Sequence, residues 1–261
     1  MNPSFDSARA AAHAVAASQD YPAAALYLVA TPIGNLADIT LRSLHLLSLV
    51  DGVACEDTRH SQQLFRSLGL ETSGLHWIAV HQHNELSGAA QVIEHLLKGE
   101  RIAYLSDAGT PGISDPGSRL VRQTRLAGLR VIPLPGASSV NTLLSASGAW
   151  EGDRADFVFQ GFLPSKGQER TLRLSEMMQD PRPQCLLEAP HRIQTLARDL
   201  LAHPPRGLTV GRELTKQFEE IAHIDTHGLA DWLEGSEHRL KGEYALVSVS
   251  YTHLRAHETL R

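Results

Sequence analysis

The sequence predicts an α/β protein built from two α/β domains. Short apolar runs alternate with helical patterns over residues 25–148, and that alternation is typical of a mostly parallel sheet covered by helices. Turn-forming Gly and Pro residues follow several of the apolar runs. After a break near residues 148–153, a second set of strands and helices occupies residues 153–249.

The first domain opens with a strand at 25–30, and the next segment places Leu41, Leu44 and Leu47 at helical spacing after a possible N-cap at Thr40 or Asp38. A strand at 52–55 follows, and then a helix that Asp57 or Thr58 can cap. The remaining predicted elements are strands at 75–80, 102–105 and 131–134, and helices at 85–97, 119–126 and after 135–139.

The second domain begins with a strand at 157–162 and a helix that follows 164–167 and ends at Met178. Further strands are predicted at 184–187, 208–210 and 244–249, with helices at 193–201 and 229–232 between them. This order predicts a second α/β domain after a short linker.

The two ends of the chain lack core patterns. Residues 1–24 are Ala-rich but carry Asp6, Arg9 and Asp20, so we expect a frayed extension or a loose helix rather than a signal peptide. Residues 250–261 show no apolar period, and we expect them to be an unpacked, non-native tail.

Composition restricts the class of protein. No apolar run approaches the ~20 residues that cross a membrane, so we expect no membrane partner. Both cysteines, Cys55 and Cys185, lie inside apolar runs, which favours buried thiols in a reducing cytoplasm. The formal net charge is -5, so an RNA partner would have to be bound by a local basic patch.

Residues 104–117 form the most informative loop of the chain. Three glycines and two prolines follow a short apolar strand, so the backbone is specially shaped there. Two carboxylates and three hydroxyls share this loop: Asp107, Asp115, Ser106, Thr110 and Ser114. Open α/β sheets bind ligands at the carboxyl ends of their strands, so the loop predicts a ligand site.

The order of short motifs along the chain carries a family resemblance. The motifs are 28–36 (LVATPIGNL), 56–59 (EDTR), 81–85 (HQHNE), 106–112 (SDAGTPG), 135–138 (PGAS), 161–164 (GFLP), 188–192 (EAPHR) and 212–216 (RELTK). Over about residues 25–248, this set closely resembles the tetrapyrrole methylase family.

The resemblance implies a two-domain α/β methyltransferase with S-adenosylmethionine in the cleft between the domains, usually as a cytoplasmic homodimer. Within the family, EDTR and EAPHR favour the branch that methylates the ribose 2'-hydroxyl of a cytidine in the decoding region of 16S rRNA, in the small ribosomal subunit. Two alternatives stay open: a tetrapyrrole C-methyltransferase and a non-catalytic ribosome-assembly factor.

The resemblance also assigns the cofactor residues. Pro32 and Gly34 would let the first loop approach the cofactor, although a plain turn would look the same. Asp107 matches the acidic position of the family's cofactor loop, and its alternative role is an N-cap or Asx-turn. The other expected contacts are Thr110, Ile113, Ser114, Asp115, Ala137 and Ser138, the last of which could simply be an N-cap.

A ribose hydroxyl needs a general base before it attacks a methyl group. The candidates at strand ends are Glu56, Asp57, His83 and Glu85, with His81 beside them. Residues 56–59 could instead be a capped helix start with an internal ion pair. Two histidines and a carboxylate could also suggest a metal by residue type, but methyl transfer needs none and we expect none.

Binding RNA requires positive charge in the loops that carry the motifs. The candidates are Arg59, Lys166, Arg170, Arg192, Arg212 and Lys216.

Overall fold

The computed structural model describes residues 5–150 and 156–250, and the chain divides into two compact units, Met1–Ser138 and Ser139–Arg261. This boundary lies before the predicted linker at 148–153, because the helix after Ser138 packs on strands of the second unit. Residues 251–261 of the predicted tail and residues 151–153 of the predicted linker lie outside the described residues.

The first unit alternates strands and helices as the sequence predicts. Its elements are α1 (Asp6–Ala16), β1 (Ala25–Val29), a 3-10 turn (Leu36–Asp38), α2 (Leu41–Leu47), β2 (Gly52–Cys55), α3 (Thr58–Ser67), β3 (His76–Ala79), α4 (Glu85–Leu97), β4 (Arg101–Leu105), α5 (Gly117–Leu126) and β5 (Arg130–Leu134). Thr40 caps α2, since its hydroxyl accepts a 3.1 Å hydrogen bond from the Ser43 backbone nitrogen.

The strands of the first unit form a parallel five-stranded sheet, in the part of the chain that the structure describes, with order β3-β2-β4-β1-β5. Alternate residues of β1 enter different cores: Tyr27 packs with residues of α1, α2 and α3, and Leu26 packs with residues of α4 and α5. Helices therefore cover both faces, and the predicted fold class is confirmed.

From Phe5 onward, the N-terminal segment contains a packed helix, where the sequence predicted a frayed extension or a loose helix. Helix α1 packs on α2, and the one-turn spacing of Ala12 and Ala16 buries both methyl groups. Phe5 and Tyr21 pack against the same core. The alanine side chains are too small to give a clear apolar pattern in the sequence, but they allow a close helix–helix contact.

The second unit carries a mixed sheet. Its elements are α6 (Ser139–Ser147), β6 (Val158–Phe162), α7 (Gly167–Gln179), β7 (Gln184–Glu188), α8 (Ile193–Leu200), β8 (Gly207–Arg212), β9 (Glu220–Asp225), α9 (Leu229–Glu234), a 3-10 turn (Glu237–Leu240) and β10 (Tyr244–Val249). The strand order is β6-β7-β10-β8-β9; β6 and β7 are parallel and the other pairs are antiparallel.

Strand β9 was not predicted, because as an edge strand it alternates partly buried residues with exposed ones such as Ile221. Both cysteines are buried free thiols, and burial raises the pKa of Cys55 to about 11 and that of Cys185 to about 12. Among the described helices, none is both long and apolar enough to cross a membrane.

Candidate functional site

The loops after two neighbouring strands of the first sheet, β1 and β4, are joined by their backbones. Thr31, after β1, and Gly109, after β4, form an antiparallel bridge with N–O distances of 3.0 and 3.1 Å. The Thr31 hydroxyl also donates to the carbonyl oxygen of Ser106 over 3.2 Å. The two loops therefore hold one shape together, at the carboxyl edge where α/β sheets bind ligands.

A third loop, after β5, meets the same point. The Thr110 hydroxyl donates a 2.9 Å hydrogen bond to the carbonyl oxygen of Ala137. Gly109 has φ +80°, and a Cβ there would lie 3.2 Å from Cγ2 of Ile33. Gly136 is tighter still, since a Cβ would lie 2.8 Å from Cβ of Ala30. The predicted loops converge because glycine allows backbones to approach closely.

Asp115 holds the β4–α5 loop in shape. Its Oδ1 accepts from the Gly117 nitrogen at 2.7 Å and from the Tyr104 hydroxyl at 3.2 Å, and its Oδ2 accepts from the Gly112 nitrogen at 2.8 Å. The sequence suggested a cofactor contact for this carboxylate, but both oxygens are engaged within the protein. Ser114, beside it, has φ +72°, a left-handed conformation that the closed loop maintains.

Other predicted cofactor residues are accessible on the same loops. Asp107 is exposed, Ile113 keeps 43% of its surface exposed, and Gly34 is exposed in the loop after β1. Pro32, Thr110 and Ala137 are partly buried, and Ser138 is buried. This edge thus exposes the Asp107 carboxylate and the apolar side chain of Ile113.

Glu56 follows β2 directly, and its carboxyl group has an unusually high pKa. Its pKa is raised to about 7, first because burial penalises the charged form, and then because the carboxylates of Asp107 and Asp115 lie nearby. The nearby backbone N–H of Asp107 opposes this shift. A carboxyl with that pKa exchanges protons near neutral pH, which general-base catalysis requires.

Asp57, the next residue, is the N-cap of α3. Its Oδ1 accepts from the Arg59 nitrogen at 2.8 Å, and its Oδ2 lies 3.2 Å from Nη2 of Arg59. The Arg59 side chain lowers the pKa of Asp57. Residues 56–59 therefore contain the capped, ion-paired helix start that the sequence left open, and Asp57 is the weaker base.

The loop after β3 carries the remaining base candidates. Asn84 shapes it by accepting from the His81 nitrogen at 2.8 Å and donating to the Ala79 carbonyl oxygen at 2.8 Å. Nδ1 of His81 is buried without a hydrogen-bond partner, and His83 is exposed. Glu85 lies 2.7 Å from Nη1 of Arg119, so it joins α4 to α5 by an ion pair.

In the second unit, Arg170 lies in the interior instead of on an RNA-binding surface. Only 5% of the residue is exposed. Its Nε donates to Oδ2 of Asp199 at 2.7 Å, and its Nη1 donates to the Pro164 carbonyl oxygen at 3.0 Å and lies 3.8 Å from Oε2 of Glu188. In the sequence, an arginine that is paired in the protein interior looks the same as one that is exposed on the surface.

Arg192 has a related position. Its Nε lies 3.0 Å from Oε1 of the buried Glu188, and its Nη2 donates to the carbonyl oxygens of Leu163 and Pro164. Burial raises the pKa of Glu188, and the two arginines oppose that shift. The 161–164 and 188–192 motifs are thus held together by a buried ionic cluster.

Arg212 and Lys216 are also engaged within the second unit. Arg212 is 7% exposed and donates to the carbonyl oxygens of Lys241, Phe218 and His238 at 2.8, 3.2 and 2.6 Å. Nζ of Lys216 lies 2.8 Å from Oε1 of Glu213 and 3.0 Å from Oε2 of Glu243. These side chains shape the 212–219 loop. The buried position of Arg212 therefore does not support the prediction from the sequence that this residue binds RNA.

The same loop exposes an aromatic residue that sequence reasoning missed. Phe218 keeps 72% of its surface exposed, and positive φ angles at Glu213 and Thr215 set the path of the backbone before it. The available signal was a lone aromatic residue in the polar segment 215–220. Of the predicted basic residues, Lys166 and Arg59 are exposed.

Comparisons with known proteins agree with this geometry. The sequence model of a family described as Tetrapyrrole (Corrin/Porphyrin) Methylases matches residues 25–229. The chain is 45% identical over 224 residues to a protein of Haemophilus influenzae named Ribosomal RNA small subunit methyltransferase I, covering 85% of this chain and 77% of that protein. A Pseudomonas aeruginosa protein of the same name is 44% identical over 228 residues, covering 86% and 78%.

Among solved structures, uroporphyrin-III C-methyl transferase from Thermus thermophilus, complexed with S-adenosyl homocysteine, superposes with a TM-score of 0.60. The match covers 88% of this chain and 99% of that one at 17% sequence identity, so it supports the fold alone.

Proposed function

The chain belongs to the tetrapyrrole (corrin/porphyrin) methylase family, and from this premise we propose that it methylates small-subunit ribosomal RNA. The observation that carries the proposal is the 45% identity, over 85% of the chain, to a protein named Ribosomal RNA small subunit methyltransferase I. The finer proposal is methyl transfer from S-adenosylmethionine to the ribose 2'-hydroxyl of a cytidine in the decoding region of 16S rRNA.

The three joined loops of the first unit fit a nucleoside-containing cofactor. Gly112 would place a Cβ in open space, and it stands beside the exposed Ile113, which offers an apolar surface for a planar base. Asp107 offers a carboxylate for polar groups of the cofactor. We assign cofactor contacts to Pro32, Gly34, Asp107, Thr110, Ile113, Ser114, Ala137 and Ser138, with Asp115 as the residue that holds their loop.

S-adenosylmethionine supplies an electrophilic methyl group when bound, so the protein's task is to align the acceptor and remove its proton. We propose Glu56 as the base that accepts the 2'-hydroxyl proton. Its pKa of about 7 makes it a stronger base than Asp57, whose pKa is lowered by Arg59. Glu85 is already engaged in an ion pair with Arg119.

For RNA binding, the exposed candidates replace the buried ones. Lys166 and Arg59 can contact phosphates, and Phe218 can stack on an unpaired base. Arg170 and Arg212 support these loops from within. The formal net charge of -5 means that such contacts must be local. The proposal includes a homodimer acting in the cytoplasm, as the family resemblance implies.

The test supplies the purified protein with methyl-labelled S-adenosylmethionine and one of three acceptors: small ribosomal subunits, naked 16S rRNA or uroporphyrinogen III. Label in 16S rRNA at a cytidine whose 3' linkage resists alkali supports the proposal, because a methylated 2'-oxygen cannot attack the phosphate. Label in the tetrapyrrole instead would favour the C-methyltransferase. Cofactor binding without transfer to any acceptor would favour an assembly factor.

A further inference from the structure

A second cluster of potential ligands lies at the opposite edge of the first sheet. His76 is the first residue of β3, His95 lies in the last turn of α4, and Glu100 directly precedes β4. One ligand atom from each of the three residues lies within 4.8 Å of the others. We propose that His76, His95 and Glu100 bind a divalent transition-metal ion of the zinc type.

The distances suit one shared ion. Nδ1 of His95 lies 2.7 Å from Oε2 of Glu100, and Nε2 of His76 lies 3.7 Å from the same oxygen. Ligands about 2.0–2.2 Å from a tetrahedral zinc ion stand roughly 3.3 Å apart, which falls between these two values. Small side-chain rotations would therefore bring all three atoms to bonding distance. A bound ion would replace the direct contact between His95 and Glu100.

The backbone brings His95 and Glu100 together before any ion binds. The Glu100 nitrogen donates to the His95 carbonyl oxygen at 3.2 Å, across a turn in which Gly99 has φ +89°. Only glycine adopts that angle readily, so the turn is specified by the sequence. Two of the three ligands thus come from one closed turn between α4 and β4.

Asp51 fixes the third ligand relative to this turn. Its carbonyl oxygen accepts from the His76 nitrogen at 3.1 Å, and its Oδ2 accepts from the Arg101 nitrogen at 2.7 Å. One residue therefore holds the start of β3 and the start of β4. Because His76 and Glu100 stand at those two starts, their separation is set by the sheet.

Gly52 clears the space between the two strands. It lies on β2, between β3 and β4, and a Cβ there would come within 2.9 Å of Cδ1 of Ile102 and 3.0 Å of Cβ of His76. A larger residue would push His76 away from β4. The His76 and His95 rings instead stand with their centroids 4.3 Å apart.

The ligand set selects the kind of ion. Two imidazoles and one carboxylate suit zinc and its neighbours, whereas magnesium and calcium prefer oxygen ligands. Three protein ligands leave a fourth position for water. The cluster lies at the amino ends of the strands and the methyl-transfer residues lie at the carboxyl ends, so we expect the ion to stabilise the first unit without taking part in methyl transfer.

The experiment uses the full-length, tag-free protein after chelator treatment and dialysis. Calorimetric titration with zinc chloride should show a site filled by one ion per chain, and cobalt chloride should give the absorption bands of a four-coordinate ion. His95→Ala and Glu100→Gln should each weaken zinc binding at least ~10-fold, since even outer-shell changes cost that much. His60→Ala, an exposed histidine on α3, is the matched control and should bind zinc as the parent does.

The cobalt spectrum of the parent protein tests the site even if a variant fails to fold. A parent protein that shows no four-coordinate cobalt bands and no saturable zinc site would overturn the proposal. Zinc binding that survives both ligand variants but is lost in His81→Ala or His83→Ala would also overturn it. S-adenosylmethionine binding measured on His95→Ala and Glu100→Gln should stay unchanged, so failure here is separate from failure of the proposed methyl transfer.

Discussion

The carboxyl group of Glu56 lies near the backbone N–H and the carboxylate of Asp107, across the ends of the neighbouring strands β2 and β4. This proximity places a carboxyl with a pKa of about 7 beside the exposed carboxylate proposed for the cofactor. The base and the cofactor loop are therefore part of one structure. Each can still be tested separately, because their substitutions should change different measured quantities.

Glu56→Gln should lower kcat by ~100-fold or more, because the amide cannot accept the hydroxyl proton. The parent's kcat should rise with pH through about 7, as Glu56 loses its proton, while the variant's kcat should stay flat over that range. Cofactor affinity should change little. Asp57→Asn serves as the control, and a larger loss of kcat in that variant would assign the base to Asp57.

The same substitution should change how stability depends on pH. The pKa of Glu56 is raised in the folded state from 4.5 to about 7, so the folded protein binds the proton more tightly and loses stability as pH rises between these values. The full shift would correspond to about 3 kcal/mol, but this side chain is partly exposed, and solvent screening reduces the effect to about 1 kcal/mol.

Urea unfolding of Glu56→Gln and of the parent at pH 5 and at pH 8 measures this effect. Relative to the parent, the variant should be more stable at pH 8 than at pH 5. An equal difference at both pH values would mean that the Glu56 pKa is not raised by folding.

Asp107→Ala should weaken S-adenosylmethionine binding by about 1.5–3 kcal/mol, the range for a hydrogen bond to a charged group. The melting temperature should stay the same, because the side chain is exposed. Calorimetry measures the affinity, with Asp231→Ala on α9 as an exposed control. Unchanged affinity in Asp107→Ala would remove this residue from the cofactor site.

Asp115→Ala should instead reduce the free energy of unfolding, by about 1–3 kcal/mol, because the hydroxyl of Tyr104 and the backbone nitrogens of Gly112 and Gly117 lose their acceptor. Cofactor affinity should fall with it as the loop opens. Tyr104→Phe removes one of the three contacts and should cost less. If Asp115→Ala kept its full stability, the loop would not depend on this carboxylate.

Two exposed residues of the second unit should affect RNA binding in different ways. Lys166→Ala should reduce the slope of log affinity against log salt by about 0.7–0.9, as expected for one lost phosphate contact. Phe218→Ala should weaken binding by about 1–3 kcal/mol with the slope unchanged, because stacking releases no counterions. Lys98→Ala is the exposed control for Lys166→Ala, and Leu172→Ala is the exposed control for Phe218→Ala. If a control changed RNA binding as much as the variant that it matches, the RNA would lie elsewhere.

The sequence predicted the first sheet well because β1, β2 and β4 are buried apolar runs, and because β1, β4 and β5 end in loops rich in Gly or Pro. Local chemistry also predicted the caps, since Thr40 and Asp57 bond within three residues of themselves. The roles of Arg170 and Arg212 could not be predicted, because their acceptors lie up to 29 residues away and become neighbours only on folding. The raised pKa of Glu56 likewise depends on burial and on Asp107, 51 positions later in the chain.

The burial of both native thiols has a practical consequence for spectroscopy. Cys55 belongs to the first unit and Cys185 to the second, and with pKa values of about 11 and 12 they hold little of the thiolate that reacts with maleimides. A cysteine introduced at an exposed position in each unit would therefore take a dye without first removing the natural pair. Energy transfer between the two dyes could then be measured with and without the methyl donor and RNA.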